Sequence, residues 1–438
     1  MRLHVSAPAL VLLLGSSAAV AGEVIEVTTS AELYAAAEDP DNVDATLALR
    51  AGTYVLSTPL RLRRGMALVG ENEYVDTDGD QVWDALPGGG YVVAGETILD
   101  AMALVAPSVS LSDCSSVADR RVTNANPEAA VMVGGGNRVS RLTIRAGANV
   151  VALGEAGVPA GEPGRTDDDL VGATGIEFTV SDVVIAGGAR GTTLGNRGCA
   201  SAGFHSSLVF ERNVVTGTSA GLSLVNFVTG DNDDEGADGD VPDGSNGTGP
   251  TIAAVIRHNR FSGNGLAITV LAAAQGTDGS AAHITSIGNL LLDNTTAVQM
   301  RAAVSQAGPR RPSSRGSSLR WSSTHDVFRR NGSATGAAVI LMASDRLFTA
   351  PLAGGPNHRN HLEAHLVQPT FEGTATELEV VGGRYRGPDA LASGTDNVAR
   401  VLVRRADVVS LDVSGGDDVP LPAIAPSPPN RVEWIGAP

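Results

Sequence analysis

The chain has 438 residues, of which 42% are hydrophobic, so it is long enough to bury an extended core. Its net charge of −17 at pH 7 excludes long-range attraction to polyanions and therefore argues against a nucleic-acid partner. Only 4% of the residues are aromatic, which suits a narrow core of small and β-branched side chains.

The first 21 residues are typical of a secretory signal peptide. Arg2 and His4 precede an apolar run from Ala9 to Leu14, and Ala19-Val20-Ala21 supplies a small-residue cleavage pattern. The run is too short to span a bilayer, and no later segment reaches that length. We expect a mature protein that is soluble and exported, either secreted, periplasmic or at the cell surface.

A short helix is expected near the start of the mature chain. Thr29 and Ser30 are followed by Glu32, as at a helix N-terminus, and Leu33 to Ala37 favour helix. Short strands then follow, separated by turn residues, with no helical periodicity between them. The helix would therefore cap the first layer of a β structure.

An acidic segment, VDTDGDQVWD, interrupts these first strands. Asp76, Asp78, Asp80 and Asp84 place oxygen ligands around Gly79, and Ca²⁺ prefers several such oxygens. The segment departs from an EF-hand loop, because its glycine is at the fourth position instead of the sixth. The alternatives are a structural calcium site and a solvated acidic turn. A second acidic stretch, from Asp231, predicts a flexible insertion or an opportunistic calcium site.

Three later windows align without a gap and indicate a stacked repeat. They are SLVFERNVVTGTSAGLSL, AAVIRHNRFSGNGLAITV and HITSIGNLLLDNTTAVQM, and they place Asn213, Asn259 and Asn289 in one column. The same alignment adds Asp182, Asp326, Pro369 and Asp407 to that column. Asparagine tolerates unusual backbone angles at a bend, so a structural role is expected for the column. Units of about 30 residues then predict a solenoid with parallel, right-handed crossovers.

The N-terminal phrase RAGTYVLSTPLRLRRGMALVGEN, from Arg50 to Asn72, resembles the opening coils of the pectin-lyase-like superfamily. The resemblance implies an all-β fold: a right-handed parallel β-helix with a short N-terminal helical cap. We assign residues 22–414 to the β-helix, with insertions at 70–95, 229–250, 304–318 and 345–360, and residues 415–438 to a Pro-rich tail. The superfamily includes lyases, hydrolases, adhesins and non-catalytic surface proteins, so the fold leaves activity open.

The characteristic catalytic motifs of the enzymatic members are not found intact in this chain. Polygalacturonase-like members use a Gly-His-Gly and an Arg-x-Lys, and this chain contains neither the first nor any lysine. Pectate-lyase-like members need calcium carboxylates and an arginine that removes a proton. Arg257, His258 and Arg260, which flank Asn259, are candidates for such a base, with exposed side chains beside a turn as the alternative.

A histidine-rich strand is the remaining candidate. If residues 361–366 form a strand, His361, Glu363 and His365 lie on one side, and Leu362, Ala364 and Leu366 on the other. The polar row has a spacing that could bind a transition metal or supply a base, and the alternative is a polar outer face. Cys114 and Cys199 form either a disulfide or two buried thiols.

Two functions remain open at this stage. The first is an exported, non-catalytic β-helix that binds extracellular or cell-surface polysaccharide or serves as a structural module. The second is a metal-assisted polysaccharide lyase or hydrolase. An arginine or histidine that converges with carboxylates in one groove would support the second.

Overall fold

The computed structural model describes the chain from Gly22 onward with gaps. The described residues are 22–105, 108–110, 125–127, 129–155, 175–197, 203–227, 249–274, 277, 279–305, 314, 316–332, 336–346, 357–373, 376–385, 394–395, 397–404, 411–414 and 431–436. The expected signal peptide, the stretch from Asp231, Asp407 and both cysteines lie outside them, so these expectations remain predictions.

The described residues wind into a right-handed parallel β-helix, in which successive coils stack as parallel strands. One coil shows the plan: Thr251–Arg257 is followed by a bend, then Arg260–Ser262, a second bend and Leu266–Leu271. Each strand pairs in register with its equivalent in the next coil. The architecture implied by the resemblance to the pectin-lyase-like superfamily is therefore confirmed.

Three faces run along the rod. Face 1 consists of Val24–Val27, Thr46–Leu49, Ala67–Val69, Gly135–Ala146, Glu177–Ala186, His205–Glu211, Thr251–Arg257, Ala281–Ile287, Ser318–Thr324, His361–Val367, Val398–Arg404 and Arg431–Gly436. Face 2 consists of Gly52–Val55, Thr97–Ala101, the second halves of Gly135–Ala146 and Glu177–Ala186, Val214–Thr216, Arg260–Ser262, Leu290–Leu292, Val327–Arg329 and Thr370–Glu372. Face 3 consists of Leu60–Arg61, Ala129–Val133, Val151–Glu155, Arg190–Arg197, Ala220–Phe227, Leu266–Leu271, Thr296–Arg301, Val339–Met342, Leu378–Val381 and Leu411–Ser414.

Shorter strands lie outside the three faces. They are Glu73–Tyr74 with Val92–Ala94, Ser108–Ser110 with Ala125–Pro127, Asn357–His358 with Gly394–Thr395, and the set Val304–Ser305, Asp345–Arg346 and Arg384–Tyr385. The first of these pairs is antiparallel and closes the base of the insertion predicted at 70–95. Short strands therefore occur within the insertions predicted at 70–95, 304–318 and 345–360.

Alternation of side chains explains why these sequences form the coils. In Thr251–Arg257 the buried residues are Ile252, Ala254 and Ile256, and the residues between them face outward. Aromatic rings stack inside the core where successive coils carry them, as in Phe210 on Phe261, with ring centroids 6.0 Å apart. The core is thus a continuous column of apolar side chains.

Both ends of the rod are occupied. The α-helix Ser30–Glu38 is closed by a capping box, in which Thr29 and Glu32 exchange hydrogen bonds, and a 3₁₀ turn, Pro40–Asn42, follows it. This helix confirms the predicted cap. At the other end Arg431–Gly436 pairs with Val398–Arg404. The ladder therefore extends past residue 414, where we had ended it, because the alternating segment after the Pro-rich stretch continues the strand pattern and packs Val432 against the core.

The asparagine column is observed as an internal hydrogen-bonded ladder. The Oδ1 atom of Asn289 accepts the backbone N–H of Asn259 at 3.0 Å, and Asp326 accepts that of Asn289 at 2.8 Å. Pro369 occupies the next place in register, one residue before the pair Val327 and Thr370. Asp182 was placed in this column wrongly. Strand register aligns it with Arg212, which it binds through two hydrogen bonds.

A second buried ladder follows the same coils. It runs through Thr218, Asn264, Asn294 and Asn331, each bonded to the next by a backbone N–H and a side-chain oxygen. Thr218, Asn264 and Asn294 align in the same three windows, so the signal was present in the sequence. The two ladders fix both ends of each short face 2 strand and hold the bends in position.

Among the described residues, no helix is both long and apolar enough to cross a membrane.

Candidate functional site

The first component of the site is an insertion, which we call the strap, formed by Glu73–Ala94. Tyr74 anchors it, because the Tyr74 hydroxyl donates to the carbonyl oxygen of Asp182 at 2.7 Å and accepts from Asn72 Nδ2 at 3.1 Å. The ring of Trp83 stacks on Tyr74, with centroids 5.2 Å apart. The strap is therefore fastened across the coils at the bend between faces 1 and 2.

The tip of the strap brings together three of the four predicted calcium ligands. Carboxylate oxygens of Asp76, Asp78 and Asp84 lie within 4.8 Å of one another. Asp76 accepts the backbone N–H groups of Gly79 (2.7 Å) and Gln81 (3.0 Å). The Thr77 hydroxyl and backbone N–H bond to Asp84 and lower the pKa of that carboxyl. Oxygen ligands for a hard cation are thus already clustered.

Asp80 is not a member of that trio, although its side chain interacts with that of Asp78, and its environment differs. Burial raises the pKa of its carboxyl, the N–H of Val82 opposes this, and the neighbouring charges of Asp78 and Asp76 raise it further. The Val82 N–H donates to Asp80 Oδ1 at 2.7 Å. Asp80 lines a cleft that the trio borders.

This cleft, with a volume of about 520 Å³, separates the strap from the bends of three successive coils. The strap contributes Asp78, Asp80 and Asp84 to its lining. The coils contribute His258, Arg260, Gly288, His325 and Arg329. Two sequence candidates separated by about 180 residues therefore lie in one cleft, and local patterns could not show that.

The floor of the cleft is a column of bend residues with left-handed backbone angles. His258, Gly288 and His325 occupy equivalent places in three successive coils, with φ of 56°, 60° and 57°. Glycine adopts this conformation without strain, and it also leaves the middle place without a side chain. A Cβ at Gly288 would lie 3.1 Å from His258 Nδ1. The glycine thus leaves room for the imidazole of His258, which packs against it.

Two polar atoms on this wall have unused hydrogen-bonding capacity. His258 Nδ1 and Arg260 Nε are both buried and have no hydrogen-bond partner among the described residues. The Arg260 guanidinium lies 5.8 Å from the centre of the Tyr91 ring. Its positive charge also lowers the pKa of Asp84, in addition to the larger effect of the hydrogen bonds from Thr77. A ligand in the cleft could satisfy both atoms once the two side chains turn toward it.

Arg257, the third candidate around Asn259, faces elsewhere. Its Nε donates to Glu211 Oε2 at 2.6 Å on the outer side of face 1, and it does not line the cleft. The bend between the two strands accounts for the difference, because Arg257 ends a face 1 strand whereas Arg260 begins a face 2 strand.

The histidine-rich strand lies on face 1, away from the cleft. Leu362, Ala364 and Leu366 are buried, as predicted, and the polar row is turned outward. Within that row Glu363 contacts His365 Nε2 at 3.2 Å and Arg320 Nε at 3.4 Å. Burial lowers the pKa of His361, and the negative charge of Glu363 opposes this. The row belongs to a ladder of alternating charges along face 1.

Comparison with known proteins adds little beyond the fold. No protein-family model and no curated protein matches the chain. Among solved structures, a hyperthermoactive exopolygalacturonase from Thermotoga maritima is similar over 90% of this chain and 92% of that one, with 10% identity and a TM-score of 0.28. The complex of XylC with xylose is similar over 91% and 86%, with 10% identity and a TM-score of 0.24. Similarity this low carries no argument about chemistry.

Proposed function

We propose that the protein is an exported β-helix that binds an extracellular or cell-surface polysaccharide in the cleft between the strap and the coil bends. The observation that carries the proposal is a cleft lined by His258 and Arg260, each of which has a buried nitrogen without a hydrogen-bond partner among the described residues. Sugar hydroxyl and carboxylate oxygens are suitable partners for both, and such polar groups fix the orientation of a bound ligand.

The charge of the cleft narrows the ligand class. The three strap carboxylates that line the cleft would repel an acidic sugar, whereas the guanidinium of Arg260 would attract it. Arg260 makes no ion pair with another described residue, and its guanidinium lies near the Tyr91 ring. A single acidic group directed at Arg260, with neutral hydroxyls toward the strap, satisfies both walls. The strong negative charge of the chain opposes binding of densely charged polymers.

Calcium is proposed at the strap tip as a structural ion. Asp76, Asp78 and Asp84 supply clustered carboxylates, and the ion would hold the strap in the position that forms the cleft wall. In this proposal the metal stabilises the binding site and takes no part in a reaction.

A second candidate is a polysaccharide lyase, and one observation favours it. His258 and Arg260 line the same cleft as the carboxylates of Asp78 and Asp84, which is the convergence that such chemistry needs. A basic side chain here could remove the proton beside a sugar carboxylate, while a cation at the strap stabilises the charge that develops.

Calorimetric titration with a panel of neutral and acidic oligosaccharides tests the proposal. Arg260→Ala should weaken binding about tenfold or more, because a hydrogen bond to a charged group contributes about 1.5–3 kcal/mol. Arg257→Ala is the matched control, since it removes an arginine of the same coil outside the cleft. Equal binding by the wild type and Arg260→Ala would refute the site. Ultraviolet-absorbing unsaturated products, formed by the wild type and lost in His258→Ala or Arg260→Ala, would establish the lyase.

A further inference from the structure

The outward-facing positions of face 2 line up along the rod. Strand register places one residue of each coil in a single column, and the chain neighbours of that residue, such as Phe261 beside Arg260 and Phe328 beside Val327, pack in the core. The column therefore faces outward. We call it the track, and it consists of Ile98, Thr143, Val184, Val214, Arg260, Leu290, Val327 and Thr370.

The strap covers the first part of the track. Val184 and Val214 are 6% and 0% exposed, although neither belongs to the core cluster inside the coils. Thr143 is 4% exposed, and its hydroxyl accepts a hydrogen bond at 3.0 Å from Nδ2 of Asn72, the residue just before the strap. The Tyr74 hydroxyl donates to a backbone carbonyl in the strand of Val184 at 2.7 Å. Outward side chains of face 2 are therefore buried in the coils that the strap crosses.

This cover ends at the coil of Arg260. The Tyr91 ring lies 5.8 Å from the Arg260 guanidinium, and among the described residues no hydrogen bond, ion pair or ring contact of the strap reaches a later coil. Leu290 and Val327 are half-buried and line the cleft, whereas Thr370 is exposed and lies outside its lining. The cleft is therefore the place where the track emerges from beneath the strap.

An occupant of the cleft can follow the track in one direction. Toward the first coil the strap occupies the track, whereas toward the last coil Val327 and Thr370 continue it at the surface. The cleft volume of about 520 Å³ falls within the usual range of small-molecule sites, about 300–1,000 Å³, so the cleft holds only a short part of a polymer. The middle of a polysaccharide chain needs a path on both sides of its binding site. A chain end needs a path on one side, which is what the track offers.

We propose that the cleft recognises the end of a polysaccharide chain, and that the chain runs lengthwise over face 2 toward the last coil. This inference rests on the proposed function and adds which part of the polymer is bound. The terminal unit lies against the strap beside Arg260, and its ring C–H groups pack on Leu290. The next units pass over Val327 and Thr370. The strap thereby excludes binding within a chain.

Calorimetric titration of the full chain with size fractions of linear polysaccharides tests this inference. The probes are gellan, in which neutral sugars separate the glucuronate units, neutral pullulan, and any other member of the panel that the wild type binds. End recognition predicts a single bound protein per polysaccharide chain in every fraction. A number of bound proteins that rises with chain length would overturn the inference while leaving the cleft as a sugar site. If no saccharide binds, or if Arg260→Ala binds as the wild type does, the proposed function fails and the inference fails with it.

A matched pair of threonines tests the direction of the chain. Thr370 and Thr285 are both exposed on outward positions of strands, the first on the track and the second on face 1. Thr370→Trp should weaken binding of the long fractions about tenfold or more, because the indole obstructs the track, and should leave binding of the shortest fraction unchanged. Thr285→Trp should bind every fraction as the wild type does. Long fractions that bind Thr370→Trp and Thr285→Trp equally well would show that the chain does not follow the track.

Discussion

Asn259 receives two hydrogen bonds from Asn213, the residue below it in the stack. The Oδ1 atom of Asn259 accepts the backbone N–H of Asn213 at 2.9 Å and its Nδ2–H at 3.1 Å. Asn259 Nδ2 in turn donates to the carbonyl oxygen of Phe210 at 2.9 Å. Both side chains are buried, so the one amide satisfies three polar groups of the neighbouring coil that water cannot reach.

Replacement of Asn259 by alanine should therefore destabilise the whole rod. The change leaves two donors of Asn213 and one acceptor of Phe210 unpaired, and each buried unsatisfied group costs about 1–3 kcal/mol. We expect the free energy of unfolding to fall by at least about 2 kcal/mol, measured by chemical denaturation. Ser262→Ala, on a nearby face 2 strand, should leave it nearly unchanged. An Asn259→Ala protein as stable as the Ser262→Ala protein would contradict the role of the ladder.

Asp326 should make the stability depend on pH. Burial raises the pKa of this carboxyl, although hydrogen bonds from Ser286, Ser323 and Asn289 oppose the rise. The folded-state pKa of Asp326 therefore lies above the unfolded value. The stability that its protonated carboxyl contributes is present at low pH and is lost as pH rises through the folded-state pKa. An asparagine at position 326 would not lose stability in this way, because its amide does not ionise and its N–H groups could donate to the hydroxyls of Ser286 and Ser323.

The prediction is that Asp326→Asn gains thermal stability relative to the wild type as pH rises. The difference between their melting temperatures should be smallest near about pH 4 and larger near about pH 8, measured in buffers of equal ionic strength. A difference that stays constant, or shrinks with rising pH, would show that Asp326 is not held with a raised pKa.

How far the sequence predicts this molecule depends on whether a feature repeats. Asn213, Asn259 and Asn289 could be aligned because each coil places the same residue at the same bend. Asp182 was misplaced by one residue, since aspartate suits both the column and the left-handed position beside it, and only strand register with Arg212 distinguishes them.

The cleft could not be predicted in the same way. The strap is an insertion that does not repeat, and the coils that it covers are far away in the sequence. Nothing near Asp80 in the chain indicates that it shares a cleft with His258. The residue types in both segments did mark them as separate candidates, because carboxylates can bind cations and histidine or arginine can bind anions or move protons. Their convergence required the three-dimensional structure.

The anchor of the strap gives a third prediction. Tyr74→Phe removes the hydroxyl that bonds to Asp182 and Asn72, and a typical hydrogen bond contributes about 0.5–1.5 kcal/mol. We expect faster limited proteolysis within Gly88–Gly90, because the strap opens more often while the coils stay folded. Tyr91→Phe should be cleaved at the wild-type rate, since its ring still packs on Arg260. Equal cleavage of the two variants would show that Tyr74 does not hold the strap.

The proposed calcium site at the strap tip gives the fourth prediction. Saturating Ca²⁺ should raise the melting temperature of the wild type, since a ligand at about 100 times its Kd stabilises the folded state by about 2.7 kcal/mol. Asp78→Asn should abolish the rise and Asp80→Asn should retain it, because only Asp78 belongs to the clustered trio. An unchanged wild-type melting temperature in Ca²⁺ and in chelator would rule out calcium at the strap.

The strap and the coil bends together form one binding site in this account. A crystal structure of the protein with a bound oligosaccharide from the titration panel tests that claim most directly. We predict sugar density between the strap carboxylates and Arg260, with a polar ligand atom within hydrogen-bonding distance of Arg260 Nε. Sugar bound instead along the outward side chains of face 1, with the cleft unchanged, would contradict the claim.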